Sequence, residues 1–146
     1  MKTYKVGLLM GVFDLFHVGH LQLIRNACEH CEYLRVGVLS DDLVRHFKGH
    51  DPVIGEEERR QIIEAVKGVD EAVIIRDEVS RIGEWYKRPY DCFFSGDDHA
   101  GNPYWEKERE ELQKLGADIQ FFPYTESQST TAIIQRILKN SGEYKK

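Results

Sequence analysis

Short apolar runs alternate with segments of helical periodicity along the chain. The apolar runs predict strands over residues 4–10, 33–39, 69–75, 90–94 and 117–122. The helical patterns cover residues 19–31, 56–67, 79–87, 104–115 and 129–138, with a further short helix after Ser40. Strands that alternate with helices indicate a parallel sheet with helices on its faces. We therefore predict an α/β fold, a single Rossmann-like doubly wound domain whose five-stranded parallel sheet has the order 3-2-1-4-5.

Polar clusters follow the ends of the first, fourth and fifth predicted strands. Open α/β sheets bind ligands in the crevice beyond the carboxyl ends of their strands, where the strand order reverses. The order 3-2-1-4-5 brings these three strand ends together at one edge of the sheet. The sequence therefore predicts one functional site, within a domain of residues 1–140 that is followed by a flexible tail of residues 141–146.

Composition and charge narrow the classes of partner. The chain has 146 residues, 41% of them hydrophobic, and its 20 basic and 25 acidic residues give a net charge of −5. Without a broad basic field, we expect no binding to nucleic acid or to anionic membranes. No apolar stretch approaches the roughly 20 residues that span a bilayer, and the first residues run straight into a strand-like segment. Three cysteines make a disulfide framework improbable for a domain of this size, so we expect a cytoplasmic, reduced protein.

The loop after the first strand carries the most distinctive polar cluster. Residues 11–20 read GVFDLFHVGH, so that His17 and His20 lie three positions apart at the predicted start of a helix. The first amides of a helix are unpaired and form an anion site that the helix dipole reinforces. Gly11 and Gly19 lack side chains where the backbone can approach a phosphate. Two imidazoles here can donate hydrogen bonds to phosphate oxygens, although histidines at a helix start also serve as caps.

This loop resembles the first signature of the HxGH nucleotidyltransferase superfamily. It is most similar to the cytidylyltransferases that act on small phosphorylated alcohols such as glycerol-3-phosphate, and the resemblance extends from residue 5 to about residue 138. The resemblance implies that His17 and His20 contact the nucleotide phosphates and stabilise the transition state, and that Asp14 shapes the site. It also implies nucleotide contacts from the rest of the loop, at Gly11, Val12, Phe13 and Gly19.

The resemblance assigns basic residues downstream of the second strand to the same site. Lys48 lies beside Gly49, where a flexible ammonium can follow a phosphate, although a solvated loop lysine is the alternative. Arg59 matches an arginine that reaches the active site in the family, although Arg59 and Arg60 also fit a solvated helix face. Lys67 falls where relatives of glycerol-phosphate type have a second basic residue, so Lys67 and the adjacent Asp70 are candidate substrate contacts.

Acidic residues follow the fourth strand in the sequence Gly96-Asp97-Asp98-His99. Such acids can contact ribose hydroxyls, a ligand amine or a hydrated Mg²⁺, although an ordinary Gly-Asp turn is the alternative. In the resembled family the first acid faces the nucleotide, which implies this role for Asp97. His99 replaces a tryptophan of the glycerol-phosphate relatives and is a candidate substrate contact.

The segment before the last helix departs from the family pattern, which reads Arg-Thr-x-Gly-x-Ser-Thr-Thr. The chain keeps the hydroxyls, and we expect Thr125, Ser129 and Thr130 to contact the nucleotide, with Ser129 also placed to cap the helix. Tyr124 stands in place of the arginine and Ser127 in place of the glycine. Adenylyltransferases of the heptose-phosphate type also lack this arginine.

The resemblance implies an enzyme that transfers CMP from CTP, bound with Mg²⁺, to a small phosphorylated alcohol or polyol. Pyrophosphate and a CDP-alcohol are the products, and relatives are commonly homodimers. Two alternatives are an adenylyltransferase that uses ATP on a phosphosugar or another phosphate monoester, and a noncatalytic nucleotide-binding regulator. Cys28 and Cys31 suggest a metal-binding module, but with no second pair at zinc spacing we predict no fixed protein metal site.

Overall fold

Five parallel strands pair in the order β3-β2-β1-β4-β5 in the computed structural model, which describes residues 2–77, 79–123 and 129–144. The fold class and strand order are the predicted ones. The strands are β1 (Tyr4–Gly11), β2 (Cys31–Leu39), β3 (Glu71–Ile75), β4 (Cys92–Gly96) and β5 (Asp118–Phe122). Because the order reverses between β1 and β4, a crevice forms beyond their carboxyl ends.

The helices connect successive strands. They are α1 (Val18–His30), α2 (Asp41–Lys48), α3 (Glu56–Glu64), α4 (Arg81–Lys87), α5 (Pro103–Lys114), α6 (Thr130–Lys139) and α7 (Ser141–Tyr144), with a 3-10 turn over Asp97–His99. Most of them begin at a side-chain cap, such as Ser40 at α2 and Ser129 at α6. Among the described residues, no helix is both long enough and apolar enough to cross a membrane.

Neighbouring residues of β1 face the two sides of the sheet and divide the core into two clusters. Leu9 packs with Ile24 of α1 and Ile63 of α3 on one side. Leu8 packs with Leu112 of α5 and other residues on the opposite side. This alternation is what a buried strand requires, since successive side chains point to opposite faces. The continuous apolar run of β1 therefore reflects burial on both faces.

The bounds of several elements differ from those predicted. Helix α3 ends at Glu64, and a turn closed by Gly68 with φ +99° follows it, so Lys67 lies outside the helix. Strand β2 begins at Cys31, directly after α1. In the segment expected to be a flexible tail, residues 141–144 form the short helix α7.

Candidate functional site

Two adjoining cavities open at the carboxyl edge of the sheet. The first has a volume of about 330 Å³ and is bordered by the ends of β4 and β5 and the starts of α1 and α6. The second has a volume of about 340 Å³ and is bordered by the loop after β1, the end of α2 and the following segment. The residues that line both cavities, here called the shared wall, are His20, Leu23, Lys48, Thr130 and Thr131.

His17 and His20 cap helix α1 reciprocally. The Nδ1 of His17 accepts a hydrogen bond from the backbone N–H of Gly19 at 3.0 Å, and the Nδ1 of His20 accepts one from the N–H of His17 at 3.3 Å. Because both Nδ1 atoms are acceptors, the neutral rings carry their proton on Nε2. The two rings stack with centroids 3.8 Å apart, and both line the first cavity. Each ring therefore offers one Nε2–H donor to a ligand.

Burial keeps both histidines neutral. Burial lowers the pKa of His17. Burial also lowers the pKa of His20 to about 4, with a smaller lowering from the repulsion that a protonated His17 exerts, whereas the carboxylate of Asp14 opposes the shift. A histidine with a pKa near 4 carries no charge at neutral pH. The pair acts at this pH as hydrogen-bond donors, and cationic charge at the shared wall comes from Lys48.

The loop of residues 11–15 has an unusual backbone. Phe13 and Leu15 have φ angles of 55° and 50°, which residues with side chains rarely adopt. The carboxylate of Asp14 lies between them and accepts the backbone N–H groups of Leu15, Val53 and Ile54 at 3.1, 2.8 and 2.9 Å. Asp14 is 6% exposed, so it acts on the loop rather than on a ligand. The resemblance implies a shaping role for Asp14, and these hydrogen bonds are the contacts through which it would act.

The residues expected to bind the nucleotide occupy both cavities. The first cavity is lined by His17, Gly19, Ser129 and Thr130, and the second by residues 11–14. A Cβ at Gly11 would lie 3.0 Å from the ring of Phe13, so this glycine makes room for that buried ring. Thr125, together with Tyr124 and Ser127, lies outside the described residues.

Asp98, in the acidic turn after β4, lines the first cavity. The resemblance implies a nucleotide contact for its neighbour, Asp97. Asp97 opens the 3-10 turn and is not among the lining residues. Sequence reasoning also missed His50, which lines the second cavity together with Lys48. The signals for both were present in the sequence, since Asp98 adjoins Asp97 and His50 follows Lys48 by two positions.

Arg59 does not line either cavity, in contrast to the contact with the substrates that the resemblance implies. Its side chain has no exposed surface and ends among protein acceptors. It donates hydrogen bonds to the carbonyl oxygens of Ile54, Val12 and Leu39 at 2.7 to 2.8 Å and to the carboxylate of Asp41 at 2.7 Å. Arg60, in contrast, lies on the outer face of α3, paired with glutamates of its own helix.

Lys67 and Asp70, the candidate substrate contacts, lie towards the amino-terminal end of the sheet and are not brought together with the other site residues. The Asp70 carboxylate accepts the N–H of Leu34 at 2.8 Å, and Leu34 pairs with Gly7 of β1. Gly7 precedes the end of β1 at Gly11 by four positions, which correspond to about 13 Å along a strand. Both residues are therefore far from the two cavities.

His99 does not line either cavity. Its ring stacks on Trp105 of α5, with centroids 4.5 Å apart and planes inclined by 4°. This stacking gives His99 a structural role, and its contact with the substrate stays a prediction.

The described residues contain no group of three histidine, cysteine or acidic side chains that could hold a metal ion. Cys28 and Cys31 are free thiols that donate to the carbonyl oxygens of Gly68 and Ala27, respectively. Burial raises the pKa of both thiols, which disfavours the thiolate that metals bind. The pair therefore behaves as part of the protein core.

The site combines features suited to binding a polyphosphate. The two adjoining cavities are lined by two neutral imidazole donors, by the starts of α1 and α6 and by Lys48. Helix amino termini attract anions through their free amides and their dipoles. Donors held in place before the reaction stabilise charge that develops on phosphate oxygens.

Comparison with known proteins identifies the family. The cytidylyltransferase-like family model matches residues 8–136. The FAD synthase of Thermococcus kodakarensis is 33% identical over 148 residues, which cover 97% of this chain and 98% of the relative. The bifunctional protein HldE of Koribacter versatilis is 35% identical over 127 residues, which cover 86% of this chain but 26% of the relative, so the chain spans about a quarter of that protein.

A solved structure shares the fold. The lipopolysaccharide core biosynthesis protein from Thermoplasma volcanium superposes with a TM-score of 0.69 at 22% identity, covering 86% of this chain and 99% of that protein. The family match also covers the loop of residues 11–20, the second half of β1, the other four strands and most of α6. This chain therefore belongs to the cytidylyltransferase-like family of HxGH nucleotidyltransferases.

Proposed function

We propose that this nucleotidyltransferase transfers CMP from CTP to a small phosphorylated alcohol or polyol of the glycerol-3-phosphate type, releasing pyrophosphate and a CDP-alcohol. One observation carries the proposal. The stacked pair of His17 and His20 presents two neutral Nε2–H donors to the first cavity, and His20 also lies on the wall shared with the second cavity. This arrangement suits transfer of a nucleotidyl group from a nucleotide in one cavity to an acceptor in the other.

The lining of each cavity supports a division of the substrates. The first cavity is bordered by two helix starts and by Asp98, which suits the phosphates and sugar hydroxyls of a nucleotide. The second has apolar walls at Met10, Val44 and Ile134, and Lys48 and His50 also line it. This composition suits a short carbon chain that ends in a phosphate monoester. We therefore assign the nucleotide to the first cavity and the acceptor to the second.

The proposed reaction needs no nucleophile or base from the protein. A phosphate monoester is already largely ionised near pH 7, and one of its oxygens attacks the α-phosphorus of the nucleotide. A new P–O bond forms while the bond from the α-phosphorus to the bridging oxygen breaks, and pyrophosphate leaves with that electron pair. The protein holds the reactants in line, and its donors stabilise the charge on the equatorial oxygens.

We infer that Mg²⁺ enters with the nucleotide. Since the described residues offer no set of three metal ligands, the triphosphate oxygens would hold most of the ion, and Asp98 is the acidic side chain that lines the first cavity. Bound there, the ion would neutralise part of the phosphate charge. Lys48 would share this task from the shared wall.

A second candidate function is transfer of AMP from ATP. Two observations favour it: Tyr124 stands where the cytidylyltransferase pattern has arginine, and one relative along nearly its whole length is a FAD synthase. FAD contains an adenylate, so the relative's name points to the adenine nucleotide. The proposed chemistry at the α-phosphorus is the same for both nucleotides.

The test is a phosphorus NMR screen of CTP, ATP, GTP and UTP, each with Mg²⁺ and a library of phospho-alcohols and phosphosugars. We expect pyrophosphate and a CDP-alcohol with CTP and a glycerol-phosphate-like acceptor. Product from ATP alone would replace the cytidylyltransferase assignment by the adenylyltransferase. Tight nucleotide binding without pyrophosphate release from any pair would instead support a noncatalytic regulator.

The resemblance further supports a homodimer in the cytoplasm that acts on small molecules rather than on nucleic acid or membranes. Sedimentation velocity of the purified protein tests the dimer. A mass of one chain, 17.0 kDa, at micromolar concentration would overturn it.

A further inference from the structure

Arg59 is a buried cation whose hydrogen bonds end on three separate segments of the chain. Its guanidinium carries five N–H groups, and four of them donate to acceptors in the protein. The acceptors are the carbonyl oxygens of Val12 after β1, Leu39 at the end of β2 and Ile54 before α3, and the carboxylate of Asp41. A buried charge with this many directed partners fixes the geometry of every segment that it contacts.

One of these segments is the strained loop of the site. Val12 immediately precedes Phe13, the first of the two residues with positive φ. Such conformations persist only where surrounding contacts hold them. The bond from Arg59 to the Val12 carbonyl oxygen is 2.7 Å long and anchors the loop. A second anchor is the Asp14 side chain, which ties the same loop to the amides of Val53 and Ile54.

The two anchors meet at one residue. Ile54 donates its N–H to Asp14 and accepts a hydrogen bond from Arg59 through its carbonyl oxygen. The segment before α3 is thereby fixed to the loop after β1 at two consecutive peptide units. Both segments line the second cavity, which includes residues 11–14 on one side and His50 and Pro52 on the other.

We propose that Arg59 is a positioning residue that sets the distance between the loop of residues 11–15 and the segment of residues 49–55. It acts without touching substrate, in contrast to the direct contact that the family resemblance implies. Arg59 affects catalysis through Val12, Asp14 and Ile54. These three residues fix the walls of the second cavity relative to His17 and His20. The catalytic part of this proposal depends on the proposed function, whereas its structural part concerns the ligand-free protein.

The test compares Arg59→Lys with Arg60→Lys, the same substitution at the neighbouring, outward-facing arginine of α3. A lysine keeps the charge of Arg59 but cannot reach four acceptors in the same geometry. Without nucleotide, we expect amide hydrogen exchange at Val53, Ile54 and Leu15 to accelerate at least tenfold in Arg59→Lys. Exchange at amides in β1 should change less, and Arg60→Lys should match the native protein at every amide.

Steady-state kinetics supply the second readout, with whichever nucleotide and acceptor the substrate screen identifies. We expect kcat of Arg59→Lys to fall about tenfold or more while KM for the nucleotide changes less than threefold, because the loop aligns the reactants more than it binds the nucleotide. Unchanged exchange at Val53 and Ile54 together with a large rise in KM would overturn the proposal in favour of direct contact. Native exchange and native kinetics would also overturn it.

A milder variant covers the case in which Arg59→Lys does not fold. Asp41→Asn keeps an oxygen acceptor for the guanidinium but removes the negative charge, and the Asp41 side chain is 33% exposed, so the protein should tolerate it. We expect faster exchange at Val53 and Ile54 in this variant too, and native exchange there would refute the positioning role. If the substrate screen finds no activity, amide hydrogen exchange still tests whether Arg59 fixes the two segments. The positioning role of Arg59 and the proposed function can therefore be refuted independently.

Discussion

The hydroxyl of Thr130 donates a hydrogen bond to the carbonyl oxygen of Asp14, 2.9 Å away, and joins residues that lie 116 positions apart. Thr130 is the first residue of α6, and Asp14 lies between the two residues of positive φ in the loop after β1. The bond therefore couples the start of one helix at the site to the strained loop. It also holds two borders of the cavities at a fixed separation.

Loss of this hydroxyl should weaken both the fold and the site. Thr130→Val keeps the shape of the side chain but leaves the Asp14 carbonyl oxygen without its donor. We expect the free energy of unfolding to fall by about 1 kcal/mol. We also expect a several-fold rise in KM for the nucleotide. Urea denaturation and steady-state kinetics measure the two effects. Thr3→Val, the same change at an exposed position, serves as the control, and equal behaviour of both variants would contradict the coupling.

Replacement of either histidine of the pair should abolish most of the turnover. Removal of one preorganised donor to a developing negative charge costs about 10²–10³ in rate, so His17→Ala and His20→Ala should each lose that much in kcat. His17→Ala should also lose about 1 kcal/mol of stability, because His17 caps α1. Pyrophosphate release at a temperature well below unfolding measures the rate. His46→Ala, on the exposed side of α2, should keep native activity.

The two lysines that the family resemblance assigns to the site should differ in effect. Lys48 lines both cavities, whereas Lys67 is exposed near the opposite end of the sheet. A hydrogen bond to a charged group contributes about 1.5–3 kcal/mol, so Lys48→Met should lower kcat/KM about 10- to 100-fold. Lys67→Met should stay within twofold of the native protein. A large loss from Lys67→Met would contradict the assignment of the site to the carboxyl edge.

The partly buried His20 should make the stability of the protein depend on pH. In the unfolded chain a histidine titrates near pH 6.5, but burial lowers the pKa of His20 in the folded protein to about 4. Between these values the unfolded state binds a proton that the folded state does not. The contribution of His20 to the free energy of unfolding is therefore fully present above about pH 6.5 and is lost as the pH falls towards 4.

The comparison with His20→Gln isolates this contribution, because the other titrating groups are shared. From pH 7 to pH 4.5, the native protein should lose about 2 kcal/mol more than the variant, which is less than the full shift since the ring is partly exposed. Urea denaturation at several pH values measures the difference. Parallel stability curves for the two proteins would show that His20 titrates normally in the folded state.

The position of the site followed from the sequence because polar residues after β1, β4 and β5 must meet once the strand order is known. The same rule, applied strictly, would have excluded Lys67 and Asp70. Both come just before β3 along the chain, and the beginnings of parallel strands lie at the other end of the sheet from the site. Strand direction alone therefore predicts that Lys67 and Asp70 lie away from the site, in contrast to the role that the resemblance implies.

The role of Arg59 could not be predicted in the same way. Arg59 and Arg60 are consecutive residues of one predicted helix and point in different directions. The sequence does not show which of them faces inwards. What separates them is a set of carbonyl oxygens contributed by Val12, Leu39 and Ile54, which converge only after the chain has folded. Every residue has a backbone carbonyl oxygen, so the sequence does not show which of them accept hydrogen bonds from a side chain. In the sequence, a buried arginine that binds such oxygens therefore cannot be told from an exposed helix arginine.

The shared wall has a stereochemical consequence. Under the proposed reaction the two ligands meet directly across His20 and Lys48, with no covalent stage on a protein side chain. A single displacement at a tetrahedral phosphorus inverts its configuration, whereas two successive displacements retain it. A nucleotide whose α-phosphorus is made chiral by one sulfur atom should therefore yield a product with the opposite configuration at that phosphorus.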